Sequence, residues 1–286
     1  MTRTTIDGLS LYHEVHGSGA PILLVHGFPL SGKLWEPAVG LLERKYRLIV
    51  PDLRGHGRSE ASETASMARF ADDLAALLDE IGEHGPVVPV GMSMGGYVVF
   101  EFCRRYPERV RGLVLVDTRA QADPPEEVRM RREMAQLVRD GGSVAITDTM
   151  IARLFGPHAS DELKDSWREM LSATDPLGVA AELDAMACRV DSFATLSSLT
   201  CPVLIVTGEH DAITPPRDAY RMRQAARDAR VEILPGAGHM TPVECPEAFA
   251  AVLLRFLEWL DRFRRGPSVP AVAGSGGRSA EDPAGG

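Results

Sequence analysis

At 286 residues the chain is about twice the length of a modal domain, and with 44% hydrophobic and 25% charged residues it has the balance of an ordinary globular protein. Lys and Arg number 31 against 40 Asp and Glu, a formal net charge of −9, so the surface repels a phosphate backbone and nucleic acid is not an expected partner. Apolar runs such as Ile22–Val25 and Leu113–Val116 fall far short of the roughly 18–20 residues that cross a bilayer, which excludes the membrane as an expected home.

The first residues, Met1 to Gly8, lead directly into an alternating pattern without an apolar leader core or a small-residue cleavage site, which predicts a cytoplasmic protein. Thr4–Ile6, Asp7-Gly8 and Leu9–Val15 read as a hairpin, because Asp-Gly supplies the positive φ angles of a two-residue turn. Short apolar runs follow at Ile22–Val25, Leu48–Val50, Val87–Val90, Leu113–Val116, Val203–Val206 and Val231–Leu234. Their continuous apolarity predicts strands buried on both faces, as in a parallel sheet covered by helices. Helical stretches at Trp35–Glu43, Met67–Ile81, Tyr97–Tyr106, Arg217–Ala226 and Pro246–Phe263 alternate with them. The expected fold class is α/β, a doubly wound, mostly parallel sheet.

The alternation breaks between Thr118 and Thr195, where helical periodicity covers Glu126–Arg139, Ser143–Phe155, Asp161–Ala173 and Leu177–Cys188. Gly141-Gly142, Gly156-Pro157 and Asp175-Pro176 punctuate these stretches. The expected organisation is a core of residues 1–118 and 196–263, an inserted helical cap at 119–195 and a disordered tail at 264–286. That tail is rich in Gly, Pro, Ser and Ala and has almost nothing to bury.

Cys103, Cys188, Cys201 and Cys245 lie far apart without C-x-x-C spacing and read as reduced, mostly buried thiols. The close histidines, His13 and His16, point to opposite faces of a strand, so no metal is expected. No cofactor is implied.

Gly91-Met92-Ser93-Met94-Gly95 lies between the buried strand ending at Val90 and a helix beginning near Gly96. A bare G-x-S-x-G is weak evidence, but a strand-to-helix turn this tight forces the serine into a strained conformation and requires small residues at 91 and 95. Ser93 would then stand exposed at the carboxyl edge of the sheet, with free helix N–H groups behind it. A serine hydroxyl needs a base to take its proton, and that base needs a carboxylate to orient it. His239 follows the last strand and Asp211 the one before, in the chain order Ser, Asp, His. Gly27, after the first buried parallel strand, would let its loop approach the site, so that the Phe28 and Met94 N–H groups could pair as an oxyanion hole.

Other readings stand beside these. Asp117, just after another strand, is the rival acid; Asp211 is preferred for its Gly-x-x-Asp loop. His210 is expected to shape the Asp211 loop, and His26 and His56 to hydrogen-bond backbone within glycine-containing loops. Asp52 and Arg54 read as a structural turn with a buried ion pair. In the cap, Met134, Leu137, Met150, Ile151, Leu154, Phe155, Trp167 and Met170 are expected mostly to pack the cap on the core, with a minority lining a pocket.

The combination of His26-Gly27-Phe28-Pro29, Asp52-Leu53-Arg54-Gly55-His56-Gly57-Arg58-Ser59 and Gly91-Met92-Ser93-Met94-Gly95-Gly96 resembles the α/β-hydrolase superfamily. Within it the motifs are similar to the branch of 3-oxoadipate enol-lactonases, small carboxylesterases and cofactor-free haloperoxidase-like esterases. The resemblance covers roughly residues 8–118 and 199–262. It implies Ser93, Asp211 and His239 as a triad, with Phe28 and Met94 as oxyanion donors. Perhydrolase relatives usually carry Trp where this chain has Phe28, which weakens that variant. The expected activity is hydrolysis of an ester or lactone of a small, largely apolar substrate. The alternatives are carbon–carbon hydrolysis of a vinylogous diketone by the same triad, and a non-catalytic binding protein on a hydrolase fold.

Overall fold

The computed structural model describes residues 2–264; the tail expected beyond them lies outside the described residues. Eight strands form one sheet: β1 (Thr2–Ile6), β2 (Leu9–His16), β3 (Ala20–Val25), β4 (Tyr46–Pro51), β5 (Val88–Met92), β6 (Leu113–Val116), β7 (Val203–Gly208) and β8 (Ala229–Leu234). Their spatial order is β1-β2-β4-β3-β5-β6-β7-β8. The hairpin pairs β1 with β2 antiparallel, and β2 runs antiparallel to β4. All later pairings are parallel. The hairpin turn is where Asp-Gly put it, with φ of 49° at Asp7 and 78° at Gly8.

Helices α1 (Glu36–Leu42), α2 (Met67–Glu80) and α3 (Met94–Arg105) connect the first half. Between β6 and β7 the chain is helical: α4 (Pro125–Gly141), α5 (Val144–Leu154), α6 (Asp161–Ala173), α7 (Pro176–Ala187) and α8 (Phe193–Ser198). Helices α9 (Pro216–Ala225), α10 (Thr241–Glu244) and α11 (Pro246–Arg264) complete the described chain. The starts of α2, α6 and α7 are capped by Ser66, Ser160 and Asp175, whose side chains accept from N–H groups of the first turn.

Strand alternation divides the core between the two faces. Leu23 and Val25 join Phe70, Leu74, Val98, Phe102 and Met222 of α2, α3 and α9 on one side. Ile22 and Leu24 join Leu42, Phe249, Leu253 and Leu257 of α1 and α11 on the other. The inserted helices straddle the two layers, with Val179 and Leu183 of α7 in the first and Trp167 and Leu171 of α6 in the second.

Several sequence expectations are corrected by position in the sheet. β8 is its edge, so Glu232 and Ile233 stay partly exposed and the strand is not buried on both faces. α3 begins at Met94, three residues before the expected Tyr97, because the turn at Ser93 feeds the helix directly. α8 and the single turn α10 carry too few residues to show a period. Only Cys103 is buried; Cys188 is exposed and Cys201 and Cys245 are intermediate. Leu137 is 54% exposed on α4 rather than packed. No helix among the described residues is long and apolar enough to cross a membrane.

The turn after β4 holds a buried ion pair, but Arg54 pairs with Asp73 of α2, through bonds of 2.6 and 2.8 Å, and not with Asp52. Asp52 instead accepts from the Gly32 and Arg58 N–H groups at 2.7 and 2.8 Å, tying two loops together. Both Arg54 and Asp73 are almost fully buried. Asp73→Ala should therefore strand the Arg54 guanidinium and cost about 3–5 kcal/mol, measured as a lowered denaturation midpoint in urea.

Candidate active site

His26, Ser93, Asp117, Asp211 and His239 all follow the carboxyl ends of parallel strands, so the sheet order alone brings them to one edge. At the centre is the turn from β5 into α3. Ser93 has φ 52° and ψ −115°, a region that strains a residue with a side chain. Its N–H donates to the Val116 carbonyl at 2.9 Å, and its own carbonyl accepts from Gly96 N–H at 2.9 Å and Thr118 Oγ1 at 2.7 Å. A Cβ at residue 91 would stand 2.3 Å from the Gly95 carbonyl oxygen, and one at residue 95 would stand 2.3 Å from that of Val25. Glycine at both positions is what lets β5, α3 and the end of β3 close around the serine.

The Ser93 hydroxyl lies 2.9 Å from His239 Nε2, and His239 Nδ1 lies 2.8 Å from Asp211 Oδ2. Asp211 is held by three further donors. Its Oδ1 accepts from the Ile213 and Thr214 N–H groups, and its Oδ2 from the Thr214 hydroxyl at 2.8 Å. Burial opposes charge on both groups, but the charge and hydrogen bond that each offers the other prevail. The Asp211 pKa is held below, and that of His239 above, the ordinary value.

The structure brings Asp117 close but gives it a different set of partners. Its Oδ1 accepts from Gly208 N–H at 3.0 Å; its Oδ2 accepts from the Thr241 N–H at 3.1 Å and hydroxyl at 2.6 Å. It thus pins the loops that carry Asp211 and His239 while His239 itself faces Asp211. Complete burial, then the neighbouring Asp211 charge, push the Asp117 pKa well up, against the Thr241 bonds.

Gly27 passes close by, since a Cβ there would be 3.1 Å from Ser93 Cβ, and Phe28 is the next residue of that loop. Met94 is the first residue of α3, so its N–H has no acceptor within the helix. Among the other histidines, His26 meets backbone as expected, at the Gly27 carbonyl and the Leu53 N–H, each 2.9 Å away. Complete burial drops its pKa to about 3. His56 departs from expectation. Its Nε2 lies 3.0 Å from Glu182 Oε2 of α7, both side chains buried, in a contact between the turn after β4 and the inserted helices. Burial pushes the Glu182 pKa up against the pull of His56. His210 donates its N–H to the Ala237 carbonyl, joining the Asp211 and His239 loops.

Sequence reasoning passed over Thr214, Thr241 and Glu182. Asp211-x-x-Thr214 has the spacing of a carboxylate capping the turn that follows it, a signal that could have found Thr214. Thr241 and Glu182 reach partners 124 and 126 residues away, which no local pattern encodes.

A family model for the alpha/beta hydrolase fold matches residues 20–246, and the chain belongs to that family. Among solved structures, a thermophilic esterase from Thermogutta terrifontis is 39% identical, with a TM-score of 0.89 over 91% of this chain and 99% of its own. The enol-lactonase from Burkholderia xenovorans LB400 is 25% identical, with a TM-score of 0.83 over 90% and 100%. A pimeloyl-acyl-carrier-protein methyl ester esterase from Aliivibrio salmonicida is 27% identical over 262 residues, covering 89% of this chain and 98% of its own. Together these relatives support ester hydrolysis as the general chemistry.

The closeness around residue 95 can be tested directly. Gly95→Ala should abolish activity or folding, because its Cβ meets fixed backbone, whereas Gly85→Ala, with open space around it, should melt as the wild type does in a thermal scan.

Proposed function

We propose that this chain is a serine hydrolase that cleaves a carboxylic ester or lactone through an acyl-enzyme on Ser93. The observation that carries this reading is the unbroken hydrogen-bond chain from Ser93 Oγ through His239 to Asp211. His239 Nε2 takes the serine proton as Oγ attacks the carbonyl carbon, and Asp211 stabilises the imidazolium that results. The oxyanion rests on the N–H groups of Phe28 and Met94. Collapse of the tetrahedral intermediate expels the alcohol, which His239 protonates. The same histidine then activates water to release the acid and regenerate Ser93.

The reading divides the chain into a catalytic core and a helical cap over residues 119–195. Apolar cap side chains such as Met150 and Met170 suit a small, largely apolar acyl group or lactone ring, because a flexible thioether adapts to irregular shapes. A fluorophosphonate should add one mass adduct to the peptide bearing Ser93. Ser93→Ala should lose the adduct and at least ~10⁴-fold of turnover on p-nitrophenyl butyrate or a small lactone. Turnover that survives this substitution would remove the acyl-enzyme, and a steady rise from butyrate to palmitate esters would remove the small-substrate assignment.

The electrostatics give a second test. Only neutral imidazole accepts the serine proton, and Asp211 raises the His239 pKa above the 6.5 of an ordinary histidine. kcat/KM should therefore rise with pH through an apparent pKa above that value. Asp211→Asn removes the charge, so the acid limb should move to lower pH as kcat falls by about 10⁴-fold. Asp117→Asn should lose less; the reverse ranking would transfer the acid's role to Asp117.

A further inference from the structure

Three consecutive peptide N–H groups around His239 are all occupied, and the inserted helices are party to the arrangement. Gly238 and Met240, on either side of the histidine, both donate to Glu244 Oε1, at 2.9 and 3.0 Å. The other oxygen of that carboxylate, Oε2, accepts from Gly156 N–H at 2.7 Å, just past the end of α5. The His239 N–H donates to the Leu154 carbonyl, the last residue of α5, at 2.8 Å. Backbones here are in contact, since a Cβ at residue 238 would stand 2.3 Å from the Gly156 nitrogen. Glu244 reaches back four and six residues because α10 is a single turn.

We propose that Glu244 is a positioning residue for His239, and that through it the register of the base depends on how the helices between β6 and β7 are seated. The proposal rests on the reading of His239 as the general base. Glu244 touches no reacting atom. It acts by fixing the two peptides that set the direction of the imidazole, since one carboxylate oxygen accepts from the N–H on either side of the histidine. Without it the loop has room to relax, because a cavity lined by His158, Ser160, Leu163, Gly236 and Cys245 adjoins the carboxylate. Seating of the inserted helices on substrate and alignment of the base then become one event, since Leu154 and Gly156 hold the same three-residue segment.

Two substitutions test this, with kcat expressed per site titrated by a fluorophosphonate and with the downfield proton resonance of the His239–Asp211 hydrogen bond as an independent readout. Glu244→Ala should lower kcat by about 10²-fold, the cost of an ångström-scale misplacement. Its KM should stay within about threefold, and the downfield proton should broaden into exchange. Glu244→Gln keeps one oxygen for Gly238 and Met240 but sets an amide nitrogen against Gly156 N–H, so it should recover most of kcat while KM rises. A folded Glu244→Ala protein with wild-type kcat and an unchanged resonance overturns the proposal. Should that variant not fold, an unchanged KM in Glu244→Gln overturns it instead. Because the resonance does not depend on turnover, a wild type that neither labels nor hydrolyses esters would defeat the hydrolase reading. Loss of the resonance in Glu244→Ala would still uphold the role of Glu244.

Discussion

The backbone at Ser93 lies in a region that costs a residue with a side chain about 1–3 kcal/mol, and the surrounding structure must over-determine it for the turn to persist. It does so with three hydrogen bonds at the serine's own peptide groups: its N–H donates to the Val116 carbonyl, and its carbonyl accepts from Gly96 N–H and the Thr118 hydroxyl. Glycines at 91 and 95 then let β5, α3 and the end of β3 approach to distances that no Cβ would allow. Once that turn is made, the hydroxyl projects from the carboxyl edge of the sheet. Every group that is to meet it must come from the loops after neighbouring parallel strands.

Two carboxylates arrive there, and the structure divides their work by hydrogen bonding. Asp211 meets His239 and two N–H groups and a hydroxyl of its own loop, which together favour its charged form against burial. Asp117 is completely buried and close enough to Asp211 to feel its charge, and so it is driven towards the neutral form. Its bonds to Gly208 and Thr241 join the two loops that carry the other members of the site. One carboxylate thus supplies field at the imidazole, while the other supplies geometry.

The inserted helices reach the site through buried polar contacts as well as apolar packing. Glu182 of α7 meets His56, and Gly178 packs backbone to backbone on Gly55, so α7 sits directly on the turn after β4. At the other end α5 meets the His239 loop through Leu154 and Gly156. Polar contacts of this kind are directional, so they define one seating where apolar packing alone would tolerate several.

Much was legible in the sequence, and the reason is locality. Strands such as Ile22–Val25 and Leu113–Val116 announce themselves by continuous apolarity, the hairpin by Asp7-Gly8, and the turn at Ser93 by glycines two residues to either side. The order Ser93, Asp211, His239 could be read because each follows a recognisable strand. Pairings across the chain could not. Arg54 found Asp73 rather than Asp52, His56 found Glu182 rather than backbone, and Cys188 remained exposed. Local pattern and turn chemistry, which depend on neighbours within a few residues, determined the elements and the turn at Ser93 from the sequence alone. The partners of the buried charges were decided only by tertiary structure. They depend on the order of strands in the sheet and on where the inserted helices come to rest, and both are set by contacts between residues well separated in the chain, from 90 residues for Leu113 with Val203 to 126 for His56 with Glu182.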